Sequence, residues 1–291
     1  MHRPTLSARP PEMLRVGRIW YINTYPVYGA VDRGIVSIDA TMVDGVPSAL
    51  NAEMAAGTID VSVVSAVEYA LHAERYLLLP DLAITSDGPV RSVMLFSKRP
   101  VADLDGATVL VSRSSMTSVE LLALMFRERW GVTPRLVPAD AESADIAHFG
   151  SEPHDARLVI GDAALLLSSG TSAVSNVYPH HVDLGQEWKE WTGLPFVFAV
   201  WVAQRTTPVA DALRVHASLI ASRDWGVANL PILADQAARA TGVPRDICEL
   251  YFSGLDYRLS LPHLQGLTEF FRRLDAAGRV PARPLVFLSA A

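Results

Sequence analysis

Short apolar runs alternate along most of the chain with stretches whose apolar residues recur at helical spacing. A helix is predicted over Pro47–Ala56, because proline suits the first turn of a helix and Gly57 suits its end. An apolar strand follows over residues 59–64 and stops at Ser65. A second strand, over residues 157–161, also runs into small and acidic residues and then a helix. This alternation favours an α/β fold with mostly parallel sheets.

The same patterns predict the remaining elements. Further strands are predicted over residues 15–21, 77–84, 93–97, 108–112, 135–138 and 196–203. Further helices are predicted over residues 119–130, 163–168, 210–226, 232–242, 245–252 and 264–277. No repeat of solenoid length is present.

Two crossings of the chain, near residues 98 and 200, predict two lobes joined by a hinge. Residues 14–97 and 201–291 would form the first lobe, and residues 98–200 the second. Residues 1–13 contain three prolines and no apolar segment, so a flexible tail is predicted there. This is the architecture of a two-lobe, type II periplasmic-binding-protein-like fold with a cleft between the lobes.

Composition excludes several classes of function. Half of the 291 residues are hydrophobic, and the formal net charge of −6 argues against a nucleic-acid partner. No apolar run reaches the ~18–20 residues that span a bilayer, and no secretory signal precedes the fold, so a cytoplasmic protein without membrane contact is predicted. The single cysteine, Cys248, excludes an internal disulfide and a multi-cysteine metal site. We expect it to be buried in a helix.

Ligands of open α/β sheets bind beyond the carboxyl ends of the strands. Ser65 and Asp162 each follow such a strand end, one in each predicted half of the chain, which predicts a ligand in the cleft. Asn23 follows the first strand, and its amide can both donate and accept hydrogen bonds. An Asx turn that serves only the local backbone is an equally good interpretation of Asn23.

A run of hydroxyl side chains lies between a predicted strand and helix at Ser114, Ser115, Thr117 and Ser118. The free N–H groups of a helix start favour an anion there, and the hydroxyls add donors without adding charge. Simple capping of the helix is compatible with the same residues.

A turn between two strands contributes Asp87, Gly88 and Ser92 as candidate ligand contacts. Gly88 permits a close approach of the backbone to a ligand, and Ser92 begins a strand that can face the cleft. Phe196 belongs to an aromatic group, with Trp188, Trp191 and Phe198, that could form an apolar wall, although core packing is the commoner fate of such groups. His180 and His181 lack a third ligand nearby, so a solvated loop is predicted rather than a metal site.

Several blocks of sequence together resemble the chorismate dehydratase family of the futalosine route to menaquinone. These are residues 16–26, 57–69, 86–92, 114–119, 160–165 and 187–201, within a resemblance that extends from about residue 15 to 285. The resemblance implies a type II binding-protein fold and dehydration of chorismate to 3-[(1-carboxyvinyl)oxy]benzoate without a metal or organic cofactor. Trp20 and Tyr25 are bulkier than the family pattern, so the rim of the pocket is expected to differ.

The resemblance implies roles for the candidate residues. Asn23 and Ser92 would act on the ring hydroxyl and ring carboxylate, and the hydroxyl run at the helix start would hold a carboxylate. Ser65 and Asp162 would support the cleft from the two strand ends. No histidine lies in a strand-end motif, which predicts that a carboxylate of the substrate itself removes the proton.

Two other functions remain open from the sequence. One is 1,4-dihydroxy-6-naphthoate synthase of the same pathway, which shares the fold and for which a histidine base in the cleft is expected. The other is a non-catalytic cytoplasmic solute-binding protein, which only a measurement of activity separates from an enzyme of this fold. The sequence leaves the oligomeric state open, and a homodimer is compatible with it.

Overall fold

The computed structural model describes residues 13–140, 153–169 and 172–290. Its strands are β1 (Leu14–Ile19), β2 (Ala40–Gly45), β3 (Val61–Ser65), β4 (Tyr76–Ser86), β5 (Val93–Ser97), β6 (Thr108–Ser112), β7 (Arg135–Ala139), β8 (Ala156–Ile160), β9 (His180–Asp183) and β10 (Phe196–Gln204). Its α-helices are α1 (Tyr25–Asp32), α2 (Pro47–Ala56), α3 (Ala66–Leu71), α4 (Thr117–Met125), α5 (Gly161–Ser168), α6 (Ser172–Val177), α7 (Leu184–Thr192), α8 (Val209–Ala228), α9 (Leu230–Thr241), α10 (Arg245–Gly254) and α11 (Leu261–Ala276). The predicted flexible tail lies outside the described residues except for Met13.

These strands form two five-stranded sheets of matching topology within the described residues. The first sheet has the order β2-β1-β3-β10-β4, and the second has the order β7-β6-β8-β5-β9. In each sheet one strand, β10 or β5, runs antiparallel to both neighbours, while the other strands share one direction. The α/β class is therefore confirmed. The sheets are mixed, however, because the single opposing strand lies inside each sheet rather than at its edge.

Two strands lie in the sheet opposite to the one predicted. Residues 93–97, assigned to the first lobe, pair with β8 and β9 in the second sheet. Residues 196–200, assigned to the second lobe, pair with β3 and β4 in the first. The chain thus passes between the sheets before β5 and before β10, not near residues 98 and 200. A buried apolar strand suits either sheet equally, so its pairing partners are not evident from its own sequence.

Local signals place most helices within a few residues of their predicted bounds. Helix α2 has the predicted bounds and ends at Gly57, whose φ of 72° is the left-handed conformation that glycine adopts without a steric cost. Cys248 is fully buried in α10, as expected. The histidine pair is an exception to its prediction: His180 and His181 belong to the edge strand β9 and not to a loop, because they extend the pairing of β5.

One carboxylate joins two segments that are distant in the sequence. Asp183 ends β9, and its Oδ1 accepts hydrogen bonds from the backbone N–H groups of Val90 at 3.1 Å, Gly185 at 2.9 Å and Gln186 at 3.1 Å. Its Oδ2 accepts one from the N–H of Arg91 at 2.7 Å. Arg91 has a φ of 62°, a conformation that a non-glycine residue keeps only when its surroundings impose it. Asp183 thus caps α7 and holds the segment that leads into β5.

Replacing this carboxylate should destabilise the fold markedly. We expect Asp183→Ala to lower the free energy of unfolding by roughly 2–4 kcal/mol, because it leaves several partly buried N–H groups without an acceptor. Asp87→Ala is a matched control, since Asp87 is exposed and makes one surface ion pair with Lys189. Its loss should cost at most about 1 kcal/mol. Equal effects of the two variants in urea denaturation would contradict this role of Asp183.

Candidate functional site

A cleft between the two sheets has about 600 Å³ of empty space, part of it open to solvent. It lies beyond the carboxyl ends of β1, β3 and β8, where ligands of such sheets bind. Its walls are formed by Ile19, Tyr21, Asn23, Pro47, Ser65, Ile84, Val90, Ser92, Val93, Ser115, Thr117, Ser118, Ile160, Gly161, Phe198 and Ala199. The predicted site residues in this wall are Asn23, Ser65, Ser92, Ser115, Thr117 and Ser118. They come from both sheets, as a site between two lobes requires.

Two of the cleft hydroxyls accept hydrogen bonds from the first sheet and its helices. The Oγ of Ser65 accepts one from the Asn51 side-chain amide at 3.0 Å, and the Asn51 oxygen accepts the Ser65 N–H in return. The Oγ1 of Thr117 accepts one from the backbone N–H of Val67 at 3.2 Å. The second bond joins the start of α4 to the start of α3, and so connects the two sides of the cleft.

Two more cleft hydroxyls also accept a hydrogen bond from the protein. The Oγ of Ser92 accepts a hydrogen bond from the Tyr251 hydroxyl at 2.8 Å, and that of Ser115 accepts one from the Ser118 N–H at 3.3 Å. A hydroxyl has one proton to donate, and an oxygen that already accepts from the protein keeps that proton for another partner. Among the described residues, no protein acceptor takes the proton of any of these hydroxyls. The cleft therefore presents a set of neutral hydrogen-bond donors.

Asn23 supplies an acceptor. Its Oδ1 is buried and receives no hydrogen bond from the described residues. The alternative of an Asx turn would need this oxygen to accept a nearby backbone N–H, and no such bond is formed within the described part of the chain. Because a buried polar atom without a partner is unusual, a ligand donor is the natural partner for Asn23.

The cleft wall contains no charged side chain among the described residues. An anion there would be held by neutral donors and by the N-terminal end of α4, whose dipole favours negative charge. Likewise, the described residues contain no cluster of three or more histidine, cysteine or acidic side chains that could hold a metal ion.

Asp162 lies behind the wall rather than in it. Its Oδ1 accepts a hydrogen bond from the backbone N–H of Ile22 at 3.2 Å, across the two sides of the cleft. Burial raises the pKa of Asp162 to about 6, while the bond from Ile22 lowers it. Beside it, Gly161 has a φ of 66°, and the ring of Tyr21 lies 3.2 Å from where a Cβ at Gly161 would sit. Asp162 and Gly161 thus form a contact between the two halves, and Asp162 is not among the residues that line the cleft.

Three other predicted contacts also lie outside the wall. Asp87 is exposed and pairs with Lys189. Gly88 packs against the start of α7, where its carbonyl oxygen would be 2.6 Å from a Cβ on Gly185. Its own φ of 114° is a conformation that favours glycine, so backbone geometry accounts for this glycine without a ligand. Ser114 is half-buried, and its backbone N–H donates to the hydroxyl of Ser112 instead of facing the cleft.

Phe198, not Phe196, is the phenylalanine that lines the cleft, where Tyr21 is a second aromatic residue. Phe196 is buried against Trp188 and Phe270, with ring centroids 5.2 and 4.9 Å away. The pairing of β10 with β4 shifts between residues 197 and 199, so Phe198 is the extra residue of a bulge. Phe198 is one of the aromatic residues predicted as a possible wall, and the bulge explains why it and Phe196 have different surroundings, because bulges turn a side chain away from the direction that strand alternation predicts.

The cleft also contains residues that were not predicted. Tyr21 lies two positions before the predicted Asn23, so its position after β1 is the local signal for it. Asn51 and Tyr251 hold Ser65 and Ser92 from behind, and they are distant in the sequence from the hydroxyls they contact. Only the folded chain brings these pairs together.

Two sheets of this topology with a cleft between them define a periplasmic-binding-protein-like protein. A protein from Archaeoglobus fulgidus superimposes with a TM-score of 0.75 at 19% identity, over 92% of this chain and 98% of that one. The alkanesulfonate-binding protein SsuA from Xanthomonas axonopodis pv. citri, bound to MOPS, gives a TM-score of 0.65 at 15% identity, over 96% and 98% of the two chains. At these identities the likeness concerns the fold, and the predicted fold is confirmed.

The chain belongs to the menaquinone biosynthesis family, whose sequence model matches residues 14–276. A curated chorismate dehydratase from Thermus thermophilus is 32% identical over 256 residues, which cover 84% of this chain and 89% of that protein. The predicted family resemblance is confirmed. Within the described residues, no helix has the length and apolar character needed to cross a membrane.

The buried carboxyl of Asp162 should make stability depend on pH. Its pKa rises from 3.8 to about 6 on folding, so between about pH 4 and 6 the folded chain keeps a proton that the unfolded chain has lost. Asp162 therefore lowers the free energy of unfolding as the pH rises through this window. Asp162→Asn, which keeps an acceptor for Ile22, should gain stability relative to the wild type by up to about 3 kcal/mol between pH 4 and 7.

Urea denaturation at several pH values measures this difference. Asp162→Ala is the control: it loses the bond to Ile22 and is less stable overall, but it should show the same change with pH relative to the wild type. Parallel profiles for the wild type and Asp162→Asn would show that this carboxyl is not held in its neutral form by the fold.

Proposed function

We propose that the chain is a chorismate dehydratase, which converts chorismate to 3-[(1-carboxyvinyl)oxy]benzoate with loss of water. The family and the identity to the Thermus thermophilus enzyme support this assignment. The observation in the cleft that carries it is the arrangement of polar groups: several hydroxyls free to donate, and the unpartnered acceptor of Asn23.

Chorismate has the complementary groups. Its two carboxylates are acceptors, and they suit the hydroxyls of Ser115 and Thr117 at the start of α4. Its ring hydroxyl is a donor, and it suits the Oδ1 of Asn23. Neutral donors bind a dianion without the strong pull of a lysine or arginine, so they can orient it while leaving its carboxylates free to react.

The reaction removes the proton from C3 and the hydroxyl from C4. The electrons of the broken C–H bond form the double bond that completes the aromatic ring, and the proton taken from C3 passes from the base to the departing hydroxide, which leaves as water. No carboxylate, lysine or histidine lines the cleft among the described residues, and hydroxyls are poor proton acceptors at neutral pH. The base in this proposal is the carboxylate of the enol ether, which the substrate carries at the carbon that loses its proton. Asn23 and Ser92 hold that conformer and hydrogen-bond the leaving oxygen.

The cleft favours this function over the sibling enzyme of the pathway. A 1,4-dihydroxy-6-naphthoate synthase is expected to carry a histidine base in the cleft, and no histidine lines it in the described part of the chain. A non-catalytic solute-binding protein would share the fold and the cleft, so turnover decides that alternative. The cytoplasmic location, the homodimer and the absence of a cofactor stay predictions of this proposal.

Incubation of the purified chain with chorismate tests the function directly. We expect an aromatic product 18 mass units lighter than chorismate, about the mass of one water, with its ultraviolet absorbance rising in proportion to enzyme. Exhaustive dialysis against a chelator should leave the rate unchanged. Binding of chorismate without turnover would favour the solute-binding alternative, and recovery of a lost rate by a divalent ion would contradict the cofactor prediction.

Asn23→Asp should lower the turnover of chorismate by roughly 10²-fold, the scale of losing one oriented polar group in an active site. The change places a negative charge beside the substrate carboxylates. Asn229→Asp, outside the cleft wall, is the control and should leave the rate unchanged. An Asn23→Asp enzyme that keeps more than half of the wild-type rate would remove Asn23 from the mechanism.

A further inference from the structure

A buried tyrosine lies directly behind one of the cleft hydroxyls. Tyr251 belongs to α10, its side chain is 1% exposed, and its hydroxyl is 2.8 Å from the Oγ of Ser92. The two residues lie 159 positions apart in the sequence. Ser92 itself is 4% exposed, so the small part of it that remains accessible is the part that faces the cleft.

The direction of this hydrogen bond follows from the chemistry of the two groups. A phenol is more acidic than an aliphatic hydroxyl and is the better donor. Burial raises the pKa of Tyr251 far above its usual value, so the phenol keeps its proton at neutral pH. Tyr251 therefore donates, and the Oγ of Ser92 accepts.

The bond is not needed to hold the backbone of Ser92. The carbonyl oxygen of Ser92 accepts the Gly161 N–H at 2.8 Å, and its own N–H donates to the carbonyl of Val90 at 2.7 Å. Asp183 accepts the backbone N–H groups of Val90 and Arg91, the two residues before Ser92. Tyr251 instead restricts the rotation of the Ser92 hydroxyl. If the Ser92 proton pointed towards Tyr251, it would face the proton that the phenol donates, so it points elsewhere.

We propose that Tyr251 is a positioning residue that makes Ser92 a one-way donor towards the ligand. This inference rests on the proposed function, in which the acceptor is the oxygen that leaves C4 of chorismate. The two bonds form a chain from Tyr251 through Ser92 to that oxygen, and such chains strengthen each member because each bond polarises the next. Tyr251 can act in this way only through the hydroxyl of Ser92, so the effect of replacing Tyr251 should disappear when that hydroxyl is removed.

A double-mutant cycle separates positioning from general stability. Tyr251→Phe should lower kcat/KM for chorismate about tenfold, with most of the change in kcat. In a Ser92→Ala background the same replacement should change kcat/KM less than twofold, because there is no hydroxyl left to orient. Tyr257→Phe is the matched control, since the Tyr257 hydroxyl is also buried but has no partner among the described residues. It should keep the wild-type rate.

Melting temperatures test the bond without turnover. Ser92→Ala leaves the Tyr251 hydroxyl buried without an acceptor, so it should melt lower than the double variant, which removes both partners. This comparison stands even if Tyr251→Phe alone folds poorly.

The outcomes separate the two proposals. If the wild-type chain leaves chorismate unchanged, the proposed function fails and this inference fails with it. If the wild type is active and Tyr251→Phe is equally active, only the role of Tyr251 is overturned. A tenfold loss that persists in the Ser92→Ala background also overturns it, because Tyr251 would then act on something other than Ser92.

Discussion

The position of the cleft depends on one carboxylate that faces backbone only. Asp183 binds the N–H groups at the start of α7 and those of Val90 and Arg91 in the segment before β5. A carboxylate has enough lone pairs to accept all of these bonds at once, which an amide or a hydroxyl could not do. Val90 and the next residue after this segment, Ser92, both belong to the wall of the cleft. The left-handed backbone conformation of Arg91 turns the chain towards the cleft, and the hydrogen bonds to Asp183 maintain that conformation.

The chemistry of the cleft is determined by the direction of the hydrogen bonds that its hydroxyl groups make, rather than by charged side chains. Four hydroxyls each accept one bond from the protein, from an amide side chain, a phenol and two backbone N–H groups. The same residues without those bonds could act as donors or acceptors and would distinguish ligands poorly. With the bonds in place, an acceptor-rich ligand is favoured, because each hydroxyl has one lone pair occupied while its proton stays available, and Asn23 adds an acceptor for a donor group of the ligand. A neutral site of this kind can select an anion and still leave the reactivity of that anion intact.

The sequence predicted the features that local physics controls. Helix α2 was predicted to the residue because Pro47 and Gly57 mark its two ends by backbone preference alone. The hydroxyl residues of the cleft were identifiable because they follow strand ends, where ligands of this fold class bind. The features it missed depend on pairing. The bulge at Phe198, the sheet to which β5 and β10 belong, and the bond from Tyr251 to Ser92 each involve segments far apart in the chain. Asp87 and Gly88 have suitable residue types for a site, but they face Lys189 and α7.

The matching topology of the two sheets explains why the site needs both halves of the chain. In each sheet the opposing strand follows a passage from the other half. The segment before β5 contributes the wall residue Ser92, and β10 itself contributes Phe198. The bonds from Ile22 to Asp162 and from Val67 to Thr117 then cross the cleft itself. Thr117 takes part both in the contact across the cleft and in the ligand site, because its oxygen accepts the bond from Val67 while its proton remains available to a ligand. A movement that opened the cleft would break the bond from Val67 and leave this hydroxyl free to turn. The direction in which Thr117 offers its proton therefore depends on the contact between the two sides of the cleft, and not on the local sequence of α4 alone.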